Sequence, residues 1–328
     1  MKSLFAQTKT DGTAIFNPLR FLGNAHIQTL LGNLLEGPYF SQPSTKYLVE
    51  LPDGDRLVIH DSKSRWWRVG DPIAILVHGL GGSHLSPGVQ RIARLVWPHG
   101  FRIVRVDLRG CGSGTALAKK TYHGGCSDDL RAVLATVHDW SPESPLDVVG
   151  FSLGGNIALK LAAEASSDPV PGLHRVAAIG PPIDLVRCIE LLERPRNRLY
   201  EIHYLRSLVR QAKLHQQLFT DLPRLKFSRD LTMRKFDASY TAPMCGFRDV
   251  EDYYRRASVF PIVDRINVEA LVITARDDPF IAVEAFHEAH WPGQVDVHIT
   301  ERGGHLGFVG PGGIRWAERR VADWLIHG

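Results

Sequence analysis

The chain has 328 residues, of which 44% are hydrophobic and 23% are charged, a composition typical of soluble globular proteins. Its 39 Lys and Arg residues exceed 35 Asp and Glu residues for a net charge of +4, and without a basic tract interleaved with aromatics this mild excess argues against a nucleic-acid partner. The sequence shows no signal-peptide core and no apolar run of about 20 residues, so we predict that it has no transmembrane segment. The four cysteines form no C-x-x-C pair, and we predict neither a metal nor a cofactor. Scattered single thiols suit a reducing compartment, so we predict a cytoplasmic protein.

The chain begins with a segment that predicts an arm on the main domain. Residues 1–45 are rich in Pro, Gly and Asn, and their one apolar piece, residues 27–35, predicts a short helix. Residues 47–51 and 56–60 then flank the turn sequence Pro52-Asp53-Gly54-Asp55, a hairpin signal. Two antiparallel strands are therefore expected at the edge of a sheet.

Buried strands then alternate with helices. Apolar-rich runs predict strands at 73–77, 101–106, 176–179, 270–274 and 295–299, and a short strand that begins at residue 146 and ends in a turn containing 150–154. Helices are predicted at 88–97, 126–138, after the turn at 150–154, and at 283–290 and 313–326. Such alternation indicates right-handed β-α-β units and a parallel sheet, whose functional groups collect at the carboxyl ends of the strands. The predicted fold is α/β, a mostly parallel eight-stranded sheet with helices on both faces, and its core comprises residues 46–183 and 262–328.

The alternation stops between residues 184 and 261. Residues 189–218 have a helical period, 222–246 are irregular and 250–256 predict a short helix. Leu, Phe and Tyr are too frequent here for a fully solvated excursion, so we predict a helical cap inserted after the sixth strand and lying over the active site. The alternative is a set of surface helices away from the site. The basic stretch 187–234 is interpreted as a solvated helical face, with contact to anionic lipid or substrate head groups as the alternative.

The pentapeptide Gly150-Phe151-Ser152-Leu153-Gly154 lies between a predicted strand and a predicted helix. This is the G-x-S-x-G nucleophile elbow in its required setting. A serine hydroxyl is a weak nucleophile at neutral pH, so it must stand on a tight turn beside a base and near amide donors. The pattern predicts that Ser152 is a catalytic nucleophile.

The base and the acid are expected after later strands, in the order Ser, acid, His. His305 follows the last predicted strand, and Asp277 and Asp278 follow the first strand after the cap. We favour Asp278 as the acid, because Pro279 would hold its carboxylate in an extended turn. Asp277 would then bind loop amides, and a share in the acid role stays open.

Two backbone amides are expected to form the oxyanion hole. One belongs to Leu153, directly after the nucleophile, and the other to Leu80 in the Gly-rich loop after the third strand, with Gly79 as the alternative. His78 is expected to hydrogen-bond within that loop. Asp107 is interpreted as a structural residue of an Asx-type turn leading into the next loop.

The chain resembles the YheT-like branch of the α/β-hydrolase superfamily over nearly its whole length. The resemblance rests on motifs spread along the chain: Phe16-Asn17-Pro18, Asn24-Ala25-His26-Ile27-Gln28-Thr29, His78-Gly79-Leu80-Gly81-Gly82, Asp107-Leu108-Arg109-Gly110, Phe236-Asp237, Gly246-Phe247, Tyr253-Tyr254, Asp277-Asp278-Pro279-Phe280 and Gly304-His305. It implies carboxylic-ester hydrolysis. The mammalian relatives in the superfamily are membrane-associated, and that anchoring is not carried over.

The sequence therefore predicts a serine carboxylic-ester hydrolase that acts on short- to medium-chain acyl esters through an acyl-enzyme. Its partner would be a small-molecule ester or lipid, with peripheral membrane contact left open. The alternatives are a phospholipase or lipid acyltransferase, which the basic cap favours, and a non-catalytic binder of an acyl ligand. Reaction with a fluorophosphonate probe distinguishes the binder from the two enzymes.

Overall fold

The computed structural model describes residues 16–34, 39–222 and 226–328. At its centre the apolar runs lie side by side in one eight-stranded sheet, in the order β1-β2-β4-β3-β5-β6-β7-β8. β1 pairs antiparallel with β2, and β2 with β4, whereas all other neighbours are parallel. The strands are β1 (Thr45–Glu50), β2 (Arg56–Ser62), β3 (Ile73–Val77), β4 (Arg102–Asp107), β5 (Leu146–Phe151), β6 (Leu173–Ile179), β7 (Glu269–Ala275) and β8 (Val295–Thr300).

Helices follow most of the strands and fill the insertion between β6 and β7. The α-helices of the described residues are α1 (Ala25–Leu34), α2 (Pro87–Val96), α3 (Ser127–Trp140), α4 (Leu153–Glu164), α5 (Leu185–Leu192), α6 (Arg198–Leu218), α7 (Met233–Phe236), α8 (Ala242–Met244), α9 (Val250–Ala257), α10 (Val283–Glu288) and α11 (Trp316–His327). Within the described part of the chain, no helix combines the length and apolarity needed to cross a membrane.

Two hydrophobic cores lie on opposite faces of the sheet, as the alternation of side chains along β3 shows. Ile73, Ile75 and Val77 pack in the core that contains α3, α4 and the insertion helices. Ala74 and Leu76 pack in the core that contains α2 and α11. Because both faces are covered, the free edge for ligands is the carboxyl edge of the parallel strands.

The fold class predicted from the sequence is confirmed, including the helical cap inserted after the sixth strand. The predicted strands match to within three residues at either end. One expectation about the hairpin was wrong, because β2 lies inside the sheet, paired with both β1 and β4, and only β1 of the two is an edge strand.

Three helix predictions also need correction. The predicted helix 189–218 is divided into α5 and α6, because Pro195 begins a 3₁₀ turn there. Part of the segment predicted as irregular is helical, since Thr232 caps α7 and a π-helical turn, Asp237–Thr241, joins α7 to α8. The closing helix begins at Trp316 instead of residue 313, because Gly312 and Gly313 adopt left-handed φ values of 68° and 74°.

The arm and the cap are described in part. Residues 1–15 and 35–38 of the predicted arm, and residues 223–225 of the insertion, lie outside the described residues. The division into an arm at 1–45, a core and a cap at 184–261 stays a prediction. Within the insertion, α6 lies across the carboxyl edge of the sheet, where Gln211 donates to the carbonyl of Gly110 after β4.

Candidate active site

The turn between β5 and α4 is tight enough to strain its central residue. Ser152 has φ 49° and ψ −120°, a conformation that non-glycine residues rarely adopt. A Cβ on Gly150 would lie 2.3 Å from the Gly154 carbonyl oxygen, and one on Gly154 would lie 2.4 Å from the His78 carbonyl oxygen. Both glycines are therefore required for β5, α4 and the loop after β3 to meet, and the turn holds the Ser152 hydroxyl at the carboxyl edge.

Three side chains from separate loops form one hydrogen-bonded line at this edge. The Ser152 hydroxyl lies 3.0 Å from Nε2 of His305, and Nδ1 of His305 lies 2.8 Å from Oδ2 of Asp278. The other oxygen of Asp278 accepts hydrogen bonds from the amides of Phe280 and Ile281 at 3.1 and 3.0 Å. In this arrangement the imidazole can take the serine proton while the carboxylate holds the ring tautomer.

The two neighbouring aspartates have different contacts. Asp277 accepts a hydrogen bond from the amide of Gly304 at 2.9 Å, as expected of a residue that binds loop amides. Burial raises the pKa of Asp277, and the amide hydrogen bond of Gly304 opposes the rise. Only Asp278 of the pair is hydrogen-bonded to the His305 ring among the described contacts.

Helix α1 supports the loop that carries His305. The amide of His305 donates to the Thr29 hydroxyl at 2.9 Å, and the amide of Val309 donates to the Gln28 side chain at 2.8 Å. Gly304 has φ 56°, and a Cβ there would lie 2.3 Å from the carbonyl oxygen of Ala25. The sequence did not assign Gln28 and Thr29 a role, because their burial and their partners in the His305 loop are visible only in the structure.

The loop after β3 contacts the nucleophile directly. A Cβ on Gly79 would lie 3.1 Å from the Ser152 Cβ, so this loop and the start of α4 flank the serine. No residue that the structure describes accepts a hydrogen bond from the amides of Leu80, Leu153 or Gly79. These amides are thus free to bind an oxyanion, and the choice between Leu80 and Gly79 stays a prediction.

The remainder of the same loop is held by side-chain contacts. His78 bonds the Gly79 carbonyl through Nδ1 at 2.7 Å and accepts from the Leu108 amide through Nε2 at 3.2 Å, as expected for a residue that bonds within its loop. The Gly81 amide donates to the Tyr122 hydroxyl at 2.6 Å. The loop conformation is therefore fixed on both sides of Leu80.

Asp107 has a structural role, but in contacts that differ from the expected Asx-type turn. Its carboxylate lies 3.0 Å from Nε2 of His60 and 2.9 Å from Nδ1 of His84, and it accepts from the amides of His84 and Ser113. Burial alone would raise the pKa of Asp107, but the hydrogen bonds from His60 and His84 hold it well below the usual range. Asp107 therefore anchors the loop that begins at His78.

The same three side chains are the group of described residues with the spacing of a metal site. The rings of His60 and His84 are stacked, with centroids 3.5 Å apart and an interplanar angle of 14°. The lone pair of a ring nitrogen lies in the plane of its ring, and two nearly parallel planes do not meet at one point, whereas the ligands of one ion must converge on it. The carboxylate of Asp107 is already hydrogen-bonded by two rings and two amides. The cluster therefore fits a structural anchor for the loop after β3 better than a metal site.

A small cavity opens beside the proposed oxyanion amides. Its volume is about 80 Å³. Most of its wall is apolar and comes from the core and the cap: Leu80, Leu153, Leu185, Ile189, Leu192, Leu208, Met233, Phe236, Tyr240, Tyr253 and Tyr254. One carboxyl group, that of Asp237, also lines it and accepts hydrogen bonds from the hydroxyls of Thr241 and Tyr254 at 2.6 and 2.8 Å.

The buried carboxyl of Asp237 predicts a pH-dependent loss of stability. Burial raises its pKa from 3.8 to about 6, although hydrogen bonds from Thr241 and Tyr254 oppose the rise. An acid that holds its proton more tightly when folded destabilises the folded state as pH rises through this window, by roughly 3 kcal/mol at most. We expect this fall in the free energy of unfolding to shrink in Asp237→Asn, as measured by urea denaturation at about pH 4 and about pH 7.

An exposed aspartate provides the matched control for that measurement. Asp264 is exposed, so Asp264→Asn should show the same pH dependence as the wild type. If Asp237→Asn also showed it, the destabilisation would not come from Asp237.

Comparison with known proteins agrees with the fold and the loops described above. A parallel sheet with an elbow after β5 defines an α/β hydrolase, and the family model described as the alpha/beta hydrolase fold matches residues 72–310. The chain is 32% identical over 325 residues to the Escherichia coli K12 protein named "Putative esterase YheT", covering 96% of this chain and 94% of that one. The chain belongs to the YheT-like branch of the α/β-hydrolase superfamily.

More distant matches agree with this assignment. The mouse protein named "Phospholipase ABHD3" is 27% identical over 309 residues, covering 90% of this chain and 74% of its own. The solved Pyrococcus furiosus esterase Pf2001 superposes with a TM-score of 0.56 at 19% identity, covering 94% of this chain and 98% of that structure. At that identity the structural likeness concerns the fold.

Proposed function

We propose that this protein is a serine carboxylic-ester hydrolase that works through a covalent acyl-enzyme. The observation that carries the proposal is the hydrogen-bonded line from Ser152 through His305 to Asp278, with distances of 3.0 and 2.8 Å. Membership of the YheT-like branch and the esterase and phospholipase names of its relatives support an ester as the substrate.

The proposed reaction uses each group in turn. The Ser152 oxygen attacks the ester carbonyl carbon while Nε2 of His305 takes the hydroxyl proton. The amides of Leu80 and Leu153 bind the oxyanion of the tetrahedral intermediate. His305 then protonates the leaving alkoxide, and in the second half it deprotonates the water that releases the acid from Ser152. Asp278 accepts a hydrogen bond from Nδ1–H of the ring throughout and stabilises the imidazolium form.

The cavity favours a short acyl group. Its volume of about 80 Å³ is well below the roughly 300–1,000 Å³ of pockets that hold a drug-sized ligand, which suits a chain of a few carbons. A larger acyl group would require the cap helices that line the cavity to move. A series of p-nitrophenyl esters whose kcat/KM rose steadily toward long chains would contradict this size limit.

Covalent labelling tests the proposal directly. A fluorophosphonate reacts with a serine that an adjacent base activates, so the probe should attach to the peptide that contains Ser152, as measured by mass spectrometry after digestion. Ser207, a second serine whose hydroxyl would lie 3.4 Å from a Cβ placed on Gly81 of the oxyanion loop, should remain unlabelled. No labelling of the intact protein would contradict the proposal and favour the non-catalytic acyl binder.

A second candidate is a phospholipase or lipid acyltransferase. It is favoured by the cations on the outward side of α6 and by the phospholipase relative. Release of fatty acid from phosphatidylcholine vesicles would support the phospholipase, and transfer of acyl groups between lipids would support the transferase. Activity confined to soluble short-chain esters would count against both.

The cellular compartment stays a prediction. All four cysteines, Cys111, Cys126, Cys188 and Cys245, are free thiols. Burial raises the pKa of Cys111 to about 12, which makes that thiol unreactive. The support for the predicted cytoplasmic location is that the cysteines are single and scattered along the chain, as suits reducing surroundings.

A further inference from the structure

Helix α6 lies across the candidate active site and contacts several of its loops. Near its start, the Tyr200 ring packs against Phe280 with centroids 5.6 Å apart, and Phe280 in turn lies 4.3 Å from the ring of His305. Farther along, the Gln211 side chain donates to the Gly110 carbonyl at 2.8 Å. The opposite side of α6 is therefore the molecular surface directly above the site.

That outward side carries one continuous stripe of exposed residues. The first five, Leu199, His203, Arg206, Arg210 and Lys213, recur every three or four positions, as residues on a single helix face do. The sixth, Leu214, is four positions after Arg210 and lies on the same face. We call this set the α6 stripe. Leu199 is 82% exposed, so the stripe presents a bare apolar side chain as well as charge.

The charge on the α6 stripe is of one sign. Arg206, Arg210 and Lys213 form no ion pair with any residue in the described ranges. The acidic residue of α6, Glu201, is buried and accepts from the amide of Met233. A merely solvated helix face usually mixes signs at i, i+4 spacing, because like charges at that spacing repel.

Apolar side chains continue next to the stripe. The His26 ring of α1 lies 3.0 Å from the hydroxyl of Tyr200 on α6, so the two helices adjoin. On α1, Ile27 is 37% exposed and Leu30 is 51% exposed. Cations beside exposed aliphatic residues are the pattern of a helix that lies in a membrane interface, whereas a nucleic acid would offer the aliphatic residues no apolar layer.

We propose that the α6 stripe and the exposed residues of α1 dock on an anionic lipid bilayer. The cations bind the negative head groups, and Leu199, Ile27 and Leu30 enter the acyl boundary. Docking in this orientation turns the carboxyl edge of the sheet, with Ser152, toward the membrane. The inference goes beyond ester hydrolysis, because binding through these residues requires no turnover.

Vesicle sedimentation tests the docking surface. Wild-type protein should bind vesicles of phosphatidylcholine with phosphatidylglycerol, and should bind phosphatidylcholine alone far more weakly. The triple variant Arg206→Gln/Arg210→Gln/Lys213→Gln should lose roughly 100-fold in partition into the anionic vesicles, and added salt should weaken the wild type in the same direction. Leu199→Ser should weaken binding at every salt concentration, since it removes apolar contact and no charge.

A second basic loop gives a matched control. Lys63, Arg65 and Arg68 are exposed beside Trp66, which is 72% exposed, and this loop precedes β3 at the amino edge of the sheet. The variant Lys63→Gln/Arg65→Gln/Arg68→Gln removes the same charge and should bind the vesicles like the wild type. Thermal melts of both triple variants would show that they fold.

Several outcomes would overturn the proposal. They are wild-type binding by the α6 triple variant, loss of binding only in the control variant, equal binding to vesicles without anionic lipid, and binding to duplex DNA but not to vesicles. Ser152→Ala should still bind anionic vesicles. A failure of membrane docking is therefore separable from a failure of the proposed hydrolysis.

Discussion

Replacing Ser152 by alanine is expected to lower kcat toward p-nitrophenyl butyrate by roughly 10⁴- to 10⁶-fold. The substitution removes the oxygen that lies 3.0 Å from Nε2 of His305, and no acyl-enzyme can then form. The oxyanion amides and the cavity remain, so some rate above that in water should persist. Steady-state kinetics on the purified variant measure the loss, relative to wild-type protein whose active sites have been counted by titration.

Two further variants show whether the side chains act as a unit. The double variant Ser152→Ala/His305→Ala should lose little more than either single variant, because each removal already disables the same step. Ser207→Ala, which removes a hydroxyl near the oxyanion loop, should retain nearly full activity. Wild-type hydrolysis by Ser152→Ala would refute the mechanism, and independent, multiplying losses would show that His305 acts elsewhere.

The second large effect is expected from Asp278→Asn, which should lower kcat by roughly 10⁴-fold. The backbone amides of Phe280 and Ile281 donate to one oxygen of Asp278. In the variant these two donors keep the side-chain oxygen of the new asparagine at the same position. The NH₂ group then faces Nδ1 of His305, and that nitrogen must accept. The proton moves to Nε2, and the ring can no longer take the serine proton. The pH profile of kcat/KM measures the change in the base.

Asp277 is the matched control for the acid. Asp277→Asn removes a charge from the adjacent position but leaves the Asp278–His305 contact of 2.8 Å in place. We expect its activity to stay within about tenfold of the wild type, because the Gly304 amide can still donate to an amide oxygen. If Asp277→Asn lost more activity than Asp278→Asn, the two roles would be reversed.

Much of the fold follows from local patterns in the sequence. The apolar run 73–77 coincides with β3, because strands buried on both faces need continuous apolar residues. The run before the elbow begins at Leu146, where β5 begins, but β5 continues into the elbow as far as Phe151. The three candidate site residues could be singled out because each follows a strand at the carboxyl edge of a parallel sheet. Their nearness is thus a property of topology, and their catalytic roles stay predictions.

Other features depend on partners that are remote in the sequence. The division of the cap at Pro195 has a local cause. By contrast, the Asn197 side chain donates to the Pro279 carbonyl at 2.6 Å and so joins the cap to the acid loop, and no local sequence pattern indicates this hydrogen bond. The same is true of His84 on Asp107 and of Thr29 on the amide of His305. Single polar residues carry no periodicity, so only the tertiary structure reveals what they bind.

The support that α1 gives to the His305 loop has a consequence for biosynthesis. Thr29 and His305 are 276 positions apart, whereas β3, β5 and the elbow lie between them. On the ribosome α1 emerges early and the loop late, and domains begin to fold from the N-terminal side. A nascent chain that stops before β8 can form the elbow and present Ser152, yet it has no imidazole beside it. If Ser152 and His305 act as proposed, competence for hydrolysis should therefore arise abruptly, once the loop that carries His305 has been translated.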